Sequence, residues 1–217
     1  SDATHAISAL PICVRLIGLE INNTNAGAWS CISGLHINGI NCVFGKTGNA
    51  VAAVAMTGRG NLLGCSVVRS STGAGILSSG IAANVIQFCS GVGYGGDATY
   101  VGLELGGQHD QAIGNVISKF GYGMKLTNSA ASARAISNNT LCHNGKSGLW
   151  VTTGAAYVHA VNNILANNTE YGIVSDIASG PHRLATLAQN FFQANGIART
   201  SNLIDDTELN PNVTPGA

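Results

Sequence analysis

Charged residues are scarce in this chain. Of its 217 residues, 9% are charged, and the 10 basic and 10 acidic side chains give a formal net charge of zero. A nucleic-acid-binding surface normally carries a basic stripe, so this balance argues against a nucleic-acid partner. Helical repeat proteins rely on Ala, Leu, Glu, Lys and Arg, whereas this chain contains 29 Gly and many Asn. The composition therefore favours β-structure over long helices.

Several functional signatures are also missing. No stretch reaches the 18 or so uninterrupted apolar residues of a membrane-spanning helix, so we expect no membrane insertion. The sequence has no Gly-rich phosphate loop followed by Lys-Ser/Thr, no His-Glu-x-x-His and no Gly-x-Ser-x-Gly. We therefore expect neither a bound nucleotide nor any other cofactor.

A repeat is the strongest positive signal. An Asn followed by two hydrophobic or β-branched residues occurs six times, at intervals of 23, 31, 24, 24 and 27 residues. The six copies begin at Asn61, Asn84, Asn115, Asn139, Asn163 and Asn190. Most are followed by a short strand pattern that opens with a glycine, at Gly75, Gly102, Gly123, Gly148 and Gly172. Short β-segments repeated at this length are typical of a solenoid, in which each coil buries its apolar residues against its neighbours.

The repeat length predicts an all-β fold, a right-handed parallel β-helix. A coil of about 24 residues allows three short strands and three turns, and the chain allows about eight coils. We expect an entry segment at residues 1–11, the β-helix at 12–200 and a C-terminal wrap or linker at 201–217. Stacked Asn side chains should hydrogen-bond along the axis. One inward ladder is expected to contain Leu63, Ile86, Ile117, Leu141, Leu165 and Phe192.

Residues 12–200 resemble the pectate lyase-like superfamily of right-handed β-helices. The resemblance is carried by repeats such as residues 136–144 and 161–168, the latter followed by Tyr-Gly-Ile-Val at 171–174. It implies the fold, and it leaves the function open among polysaccharide lyases and hydrolases, phage tailspike and other virion proteins, and adhesins. Pectate lyases typically use several acidic calcium ligands and an Arg base, and polygalacturonases carry an Asn-x-Asp motif with an Asp-Asp pair. Neither set of residues appears within the repeats.

An outward row is the sharpest functional candidate. Aligning the strands that open with glycine places Glu104, Lys125, Trp150 and Val174 at one outward position, and Leu77 extends the row by one coil. Trp150 offers a flat apolar face with a polar edge, which suits a sugar ring. The alternative is that Glu104 and Lys125 form a weak surface ion pair and that Trp150 covers the sheet or meets a partner chain.

The 31-residue interval predicts an insertion of about seven residues. Its loops carry Tyr94, Asp97, His109 and Asp110 near the strand of Glu104. A glycosidase needs two carboxylates about 5 or about 6.5–9.5 Å apart, so Glu104, Asp97 and Asp110, with His109, are the catalytic candidates if the protein is an enzyme. The alternative is that the His-Asp pair caps a turn. For carbohydrate binding the candidates are Trp150, Lys125, Glu104 and Tyr94.

The cysteines do not have metal-site spacing. Cys42, Cys65 and Cys89 lie 23 and 24 residues apart, which matches the coil, so we expect them to stack at one interior position as packed thiols. Disulfides or a metal remain alternatives, and we predict no metal site. The other three, Cys13, Cys31 and Cys142, have no assigned place.

Two functions remain open. The favoured one is a non-catalytic structural or adhesive β-helix of a virion, tail or cell-surface assembly, with a carbohydrate-binding outward sheet face. The alternative is a polysaccharide lyase or glycoside hydrolase that acts near Glu104 and the 91–111 insertion. Either protein would be extracellular, on a cell surface or in a virion. Its partners would be a polysaccharide or cell-surface glycan and other subunits of an assembly, because no amphipathic cap shields the end coils.

Overall fold

The protein is a parallel β-solenoid. A computed structural model describes residues 14–23, 30–34, 36–46, 52–69, 74–79, 84–93, 100–127, 134–152, 158–176 and 184–200. Within these ranges the chain forms strands and turns without a helix, and three parallel sheets of eight strands each run along the molecule. The predicted fold class is confirmed. The segments predicted for residues 1–11 and 201–217 lie outside the described residues.

The chain visits the three sheets, here called A, B and C, in turn. Sheet B contains β1 (Val14–Ile17), β4 (Ile37–Ile40), β7 (Gly60–Leu63), β10 (Asn84–Gln87), β13 (Gln111–Ile113), β16 (Arg134–Ser137), β19 (Val158–Val161) and β22 (Leu184–Ala188). Sheet C contains β2 (Glu20–Asn23), β5 (Val43–Lys46), β8 (Ser66–Arg69), β11 (Ser90–Val92), β14 (Val116–Ser118), β17 (Thr140–Cys142), β20 (Ile164–Ala166) and β23 (Phe191–Gln193). Sheet A contains β3 (Ile32–Gly34), β6 (Ala52–Met56), β9 (Ala74–Ser78), β12 (Val101–Leu105), β15 (Tyr122–Leu126), β18 (Leu149–Val151), β21 (Tyr171–Ser175) and β24 (Ala198–Thr200).

Each sheet contains eight strands, so the chain passes eight times through sheets B, C and A within the described residues. No helix in the described ranges is long and apolar enough to cross a membrane.

The core is a set of stacked apolar ladders. In sheet A the register aligns Leu103, Met124, Leu149 and Ile173, as predicted, and all four are buried. Each such side chain contributes about 1.5–3 kcal/mol when it leaves water. Because successive residues of a strand point to opposite faces, this inward ladder also determines the outward row beside it.

The predicted ladder of six residues is correct for four of them. Sheet C aligns Ile117, Leu141, Leu165 and Phe192. The other two predicted members, Leu63 and Ile86, lie in sheet B.

Leu63 and Ile86 differ because their Asn triads lie within sheet B rather than just before sheet C. Ile86 still faces the core, but Leu63 is one position further along β7 and points outward. A shift of one residue reverses the face of a side chain, so a match in sequence pattern alone could not place Leu63 correctly.

Two ladders of Asn side chains run along the solenoid. At the corner between sheets B and C, Nδ2 of Asn115, Asn139 and Asn163 donates to Oδ1 of the next Asn at 2.9, 3.0 and 2.9 Å, ending at Asn190. Each of these Oδ1 atoms also accepts the backbone N–H of the Asn one coil earlier. A second ladder joins Asn144, Asn168 and Asn195 at the corner between sheets C and A. The predicted hydrogen-bonded stacking of the Asn series is therefore confirmed for four of its six members, Asn115, Asn139, Asn163 and Asn190.

The stacked cysteines occupy the same corner as the first ladder. The register places Cys42, Cys65, Cys89 and Asn115 in successive coils, and the three cysteines are buried, as predicted. Their Sγ atoms donate to backbone carbonyls two residues earlier at 3.4, 3.6 and 3.3 Å. Hydrogen bonding to Cys65 and burial raise the pKa of the Cys89 thiol. Cys31 is buried and Cys142 half-buried, and both are free thiols, whereas Cys13 lies outside the described residues.

This register shows that the expected insertion of about seven residues is absent. The counterpart of Asn115 in the preceding coil is Cys89, 26 residues earlier, and not Asn84. The 31-residue interval arose because Asn84 belongs to a different position of the coil, at the start of β10. The coil that carries Glu104 is therefore only slightly longer than its neighbours.

Cys89→Asn should extend the Asn ladder by one coil. Asn115 Oδ1 already accepts the Cys89 backbone N–H at 2.9 Å, and Cys89 Sγ contacts the Leu62 carbonyl that a ladder amide would use. We expect the free energy of unfolding of Cys89→Asn to exceed that of Cys89→Ala by about 1–2 kcal/mol, because the Asn side chain makes hydrogen bonds that Ala cannot. Urea denaturation followed by circular dichroism measures the difference. An Asn variant no more stable than the Ala variant contradicts this account.

Candidate functional site

The predicted outward row is present on sheet A. The register pairs Glu104 with Leu77 and Lys125, and it pairs Trp150 with Lys125 and Val174. All five side chains are partly exposed. The row runs parallel to the solenoid axis, because each member belongs to a successive strand of one parallel sheet.

Close backbone packing beside the row explains the glycine that opens its strands. A Cβ at Gly123 would lie 2.7 Å from the carbonyl oxygen of Gly148 and 2.8 Å from the side-chain nitrogen of Asn144. No larger residue fits there without moving the neighbouring coil. The glycine thus keeps β15 close to β18, which brings the side chains of Lys125 and Trp150 next to each other.

Lys125 lies between an acid and an aromatic ring. Its Nζ is 3.7 Å from Glu104 Oε1, and the two side chains are 21% and 23% exposed. The same Nζ lies 4.6 Å from the centroid of the Trp150 ring, within the range of a cation–π interaction. A partly exposed ion pair adds at most about 1 kcal/mol to stability, so the arrangement matters more for the surface it presents.

Sequence reasoning missed two residues of this surface, Tyr122 and Lys146. The Tyr122 ring stacks on Trp150 with centroids 4.5 Å apart and an angle of 29° between the planes. Lys146 Nζ lies 5.4 Å from the centroid of Tyr122. The available signal was the Tyr-Gly pair that opens β15 and recurs in β21. We call the cluster of Glu104, Tyr122, Lys125, Lys146 and Trp150 the aromatic platform.

The aromatic platform combines apolar and polar groups on one outer surface. The two stacked rings form an apolar cluster. Two ammonium groups donate hydrogen bonds at the edge of the rings, and one carboxylate accepts them. These groups lie on β12, β15 and β18 of the outward row, except Lys146, which lies in the turn before β18.

Asp110, a predicted catalytic candidate, lies inside the molecule. Its carboxylate accepts hydrogen bonds from Ser78 Oγ at 2.9 Å, from the Asn84 backbone N–H at 3.0 Å and from the Gly107 backbone N–H at 2.8 Å. Burial lowers the pKa of the nearby Arg134 guanidinium, and the charge of Asp110 opposes that shift. A carboxylate with this set of partners holds a turn together and has no exposed surface for a substrate.

The other catalytic candidates are not brought together by the described residues. His109 is exposed on the turn next to Asp110, with a φ of 57°. Glu104 lies on the outer face of sheet A and is paired with Lys125. Tyr94 and Asp97 lie outside the described residues.

Comparison with known proteins finds a family whose model matches this chain. The model of the family described as "Periplasmic copper-binding protein (NosD)" matches residues 59–212, which is more than half of the chain. No curated protein and no solved structure gives a significant match. The matched range includes the whole aromatic platform and most of the described coils.

Proposed function

Because this chain belongs to the NosD family, we propose that it is a non-catalytic β-solenoid outside the cytoplasm that binds polysaccharide on the aromatic platform. The family is described as periplasmic, which supports a position in the cell envelope or beyond it. The rigid stack of coils acts as the support, and the platform on sheet A is its recognition surface.

The observation that carries the proposal is the stacking of Tyr122 on Trp150 between two lysines. Because the two rings cover each other's inner sides, they form one rigid apolar cluster on the outer sheet face, with an ammonium group near each ring. Trp is favoured at binding surfaces because it combines such a face with a polar N–H. The lysines and Glu104 provide the polar contacts that a sugar needs.

An adhesive role follows from the same surface. A solenoid that binds glycan without cleaving it attaches one body to another, as a component of a cell-surface, envelope or virion assembly would. Avidity through several copies would strengthen weak single contacts, because linked binding events raise the effective concentration of the partner.

The family's description names copper, and a copper site needs several metal-binding side chains close together. Among the described residues no group of three or more His, Cys, Asp or Glu side chains is placed to hold a metal ion. The stacked thiols of Cys42, Cys65 and Cys89 are buried, donate to backbone carbonyls and belong to no such group. The described residues therefore do not fit copper, and the proposed function does not use it.

The proposal that the protein is non-catalytic rests on the positions of its carboxylates. Hydrolysis of a glycosidic bond requires two accessible carboxyl groups about 5 or about 6.5–9.5 Å apart. In the described part of the chain Glu104 is accessible, whereas Asp110 is buried and fully engaged. Among the described residues Glu104 and Asp110 therefore do not form the carboxylate pair of a glycoside hydrolase.

A panel of neutral and acidic polysaccharides tests the function directly. We expect the wild-type protein to bind at least one member, measured by biolayer interferometry, and to release neither new reducing ends nor unsaturated uronates from it. Loss of a general acid or base lowers turnover by orders of magnitude, so Glu104→Gln is the diagnostic variant for catalysis. Product formation that disappears in Glu104→Gln would establish an enzyme and overturn the proposal. Absence of binding to every glycan would overturn it as well.

A further inference from the structure

The exposed apolar side chains of the solenoid are concentrated on one side. Among the described residues ten large hydrophobic side chains are exposed, and nine of them lie on sheet C or along its border with sheet B. The nine are Ile17, Leu19, Val43, Leu63, Val68, Phe88, Val92, Val116 and Ile164. We call this surface the apolar face.

The apolar face is almost free of charge. Among the described outward positions of the sheet C strands Glu20 is the one charged side chain, and exposed Arg15 and Lys119 lie at the two borders of the face. The remaining outward positions between the apolar side chains hold small polar residues such as Ser66, Ser90 and Thr140. The aromatic platform, by contrast, lies on sheet A and carries three charges. The two surfaces are therefore distinct.

Phe88 is an unusual residue for the corner between sheets B and C. The residue between sheets B and C has a positive φ in every coil, and the other seven coils place Gly, Asn or Gln there. Phe88 has a φ of 51° and is 65% exposed, and its ring covers the position where Gly114 would carry a Cβ. A bulky residue in this conformation costs about 1 kcal/mol or more. Gly adopts this conformation without that cost, and Asn does so more easily than Phe.

We propose that the apolar face joins two copies of this chain, face to face, in a reversible dimer. Every copy carries the same face, on which Val, Ile and Leu side chains alternate with small Ser and Thr residues, and two such sheets can pack about 10 Å apart, as in a β-sandwich. The chain has no net charge, so two copies do not repel each other strongly.

The size of the face agrees with a weak dimer. Eight strands about 4.8 Å apart span about 34 Å, and the face is about 15 Å wide. Each copy would thus bury about 500 Å², and the dimer about 1,000 Å² in total, which is at the lower limit for specific interfaces. Phe88 stands out from this face as an aromatic anchor, the kind of residue that dominates binding energy.

Other occupants fit the face less well. An anionic membrane surface attracts clusters of Lys and Arg, and the described outward positions of the face have none. An extended peptide adds to the open edge of a sheet, whereas this is the face of a sheet whose backbone groups are already paired. A second copy matches both the apolar chemistry and the flat shape.

Sedimentation velocity from about 1 to about 300 µM tests the proposal across the micromolar range. We expect the wild-type chain to shift from monomer to dimer with concentration. Phe88→Asn introduces the residue that neighbouring coils use at this corner, so we expect unchanged or higher stability to urea and at least a tenfold weaker dimer. A folded Phe88→Asn variant that dimerises like the wild type overturns the role of Phe88 as the anchor.

Charge substitutions provide a matched comparison. Val68→Lys with Val116→Lys places two charges on the apolar face and should leave a monomer at every concentration. Asn61→Lys with Gln111→Lys places two charges in the outward column of sheet B next to the Leu63 column, on the side away from sheet C, and should dimerise like the wild type. A monomeric wild type at the highest concentration, or equal loss in both pairs, overturns the proposed interface. Polysaccharide binding should persist in all folded variants, which separates this result from the function of the platform.

Discussion

Replacing Asn139 by Ala is expected to reduce the free energy of unfolding by about 4 kcal/mol. The Asn139 amide donates to Asn163 Oδ1 and to the Ala112 carbonyl, and its Oδ1 accepts both the side-chain and the backbone N–H of Asn115. Ala would leave these buried groups without partners, and each unsatisfied group costs about 1–3 kcal/mol. Urea denaturation and thermal unfolding, both followed by circular dichroism, measure the loss.

Two further variants show whether the ladder itself is responsible. Asn139→Cys introduces the residue that earlier coils hold at this corner, whose thiol can donate to a carbonyl, so its loss should be smaller than that of Ala. Asn138→Gly removes the exposed hydrogen bond from Asn162 while keeping a residue that accepts the φ of 58°. We expect it to cost less than about 1 kcal/mol. Equal losses at positions 138 and 139 would show that burial of the ladder is unimportant.

Trp150→Ala is expected to weaken polysaccharide binding at least tenfold, which corresponds to about 1.4 kcal/mol. The variant removes half of the stacked aromatic surface and the ring over which Lys125 lies. Its effect on folding should be much smaller, because Trp150 is partly exposed and the inward ladder of sheet A does not change. Biolayer interferometry with the polysaccharide identified for the wild type measures the affinity.

The neighbour in the same outward row provides the control. Val174→Ala shortens the next side chain along the row and removes no aromatic ring, so its affinity should stay within about twofold of the wild type. Trp150→Phe keeps a flat face and should recover part of the binding. If Trp150→Ala binds as well as Val174→Ala does, the platform is not the binding surface.

The coil period and the two faces of each strand could be predicted from local patterns. Strands alternate with period two, so the Leu103 and Leu149 strands specified their outward neighbours, Glu104 and Trp150, without any knowledge of the neighbouring coils. The stacking of Cys42, Cys65 and Cys89 followed in the same way from their spacing. These predictions succeed because a solenoid repeats one short unit, and position within the unit determines burial.

The place of each repeat relative to the corners depended on the tertiary structure. The triads at Asn61 and Asn84 have the same local pattern as the one at Asn115, but they belong to sheet B. Strand and turn lengths differ slightly between coils, so hydrogen bonds to the adjacent coils determine where each Asn triad lies within its own coil. For this reason the expected insertion disappeared, and Leu63 was assigned to the wrong face.

The sequence by itself determined the solenoid, its period and the outward row from Leu77 to Val174. Only the tertiary structure placed Tyr122 on Trp150, buried Asp110 among Ser78 and Asn84, and exposed Phe88 on the apolar face. The first set depends on the alternation of residues within a single strand. The second depends on contacts between residues a full coil apart, about 24 to 32 positions in sequence, which no local pattern specifies.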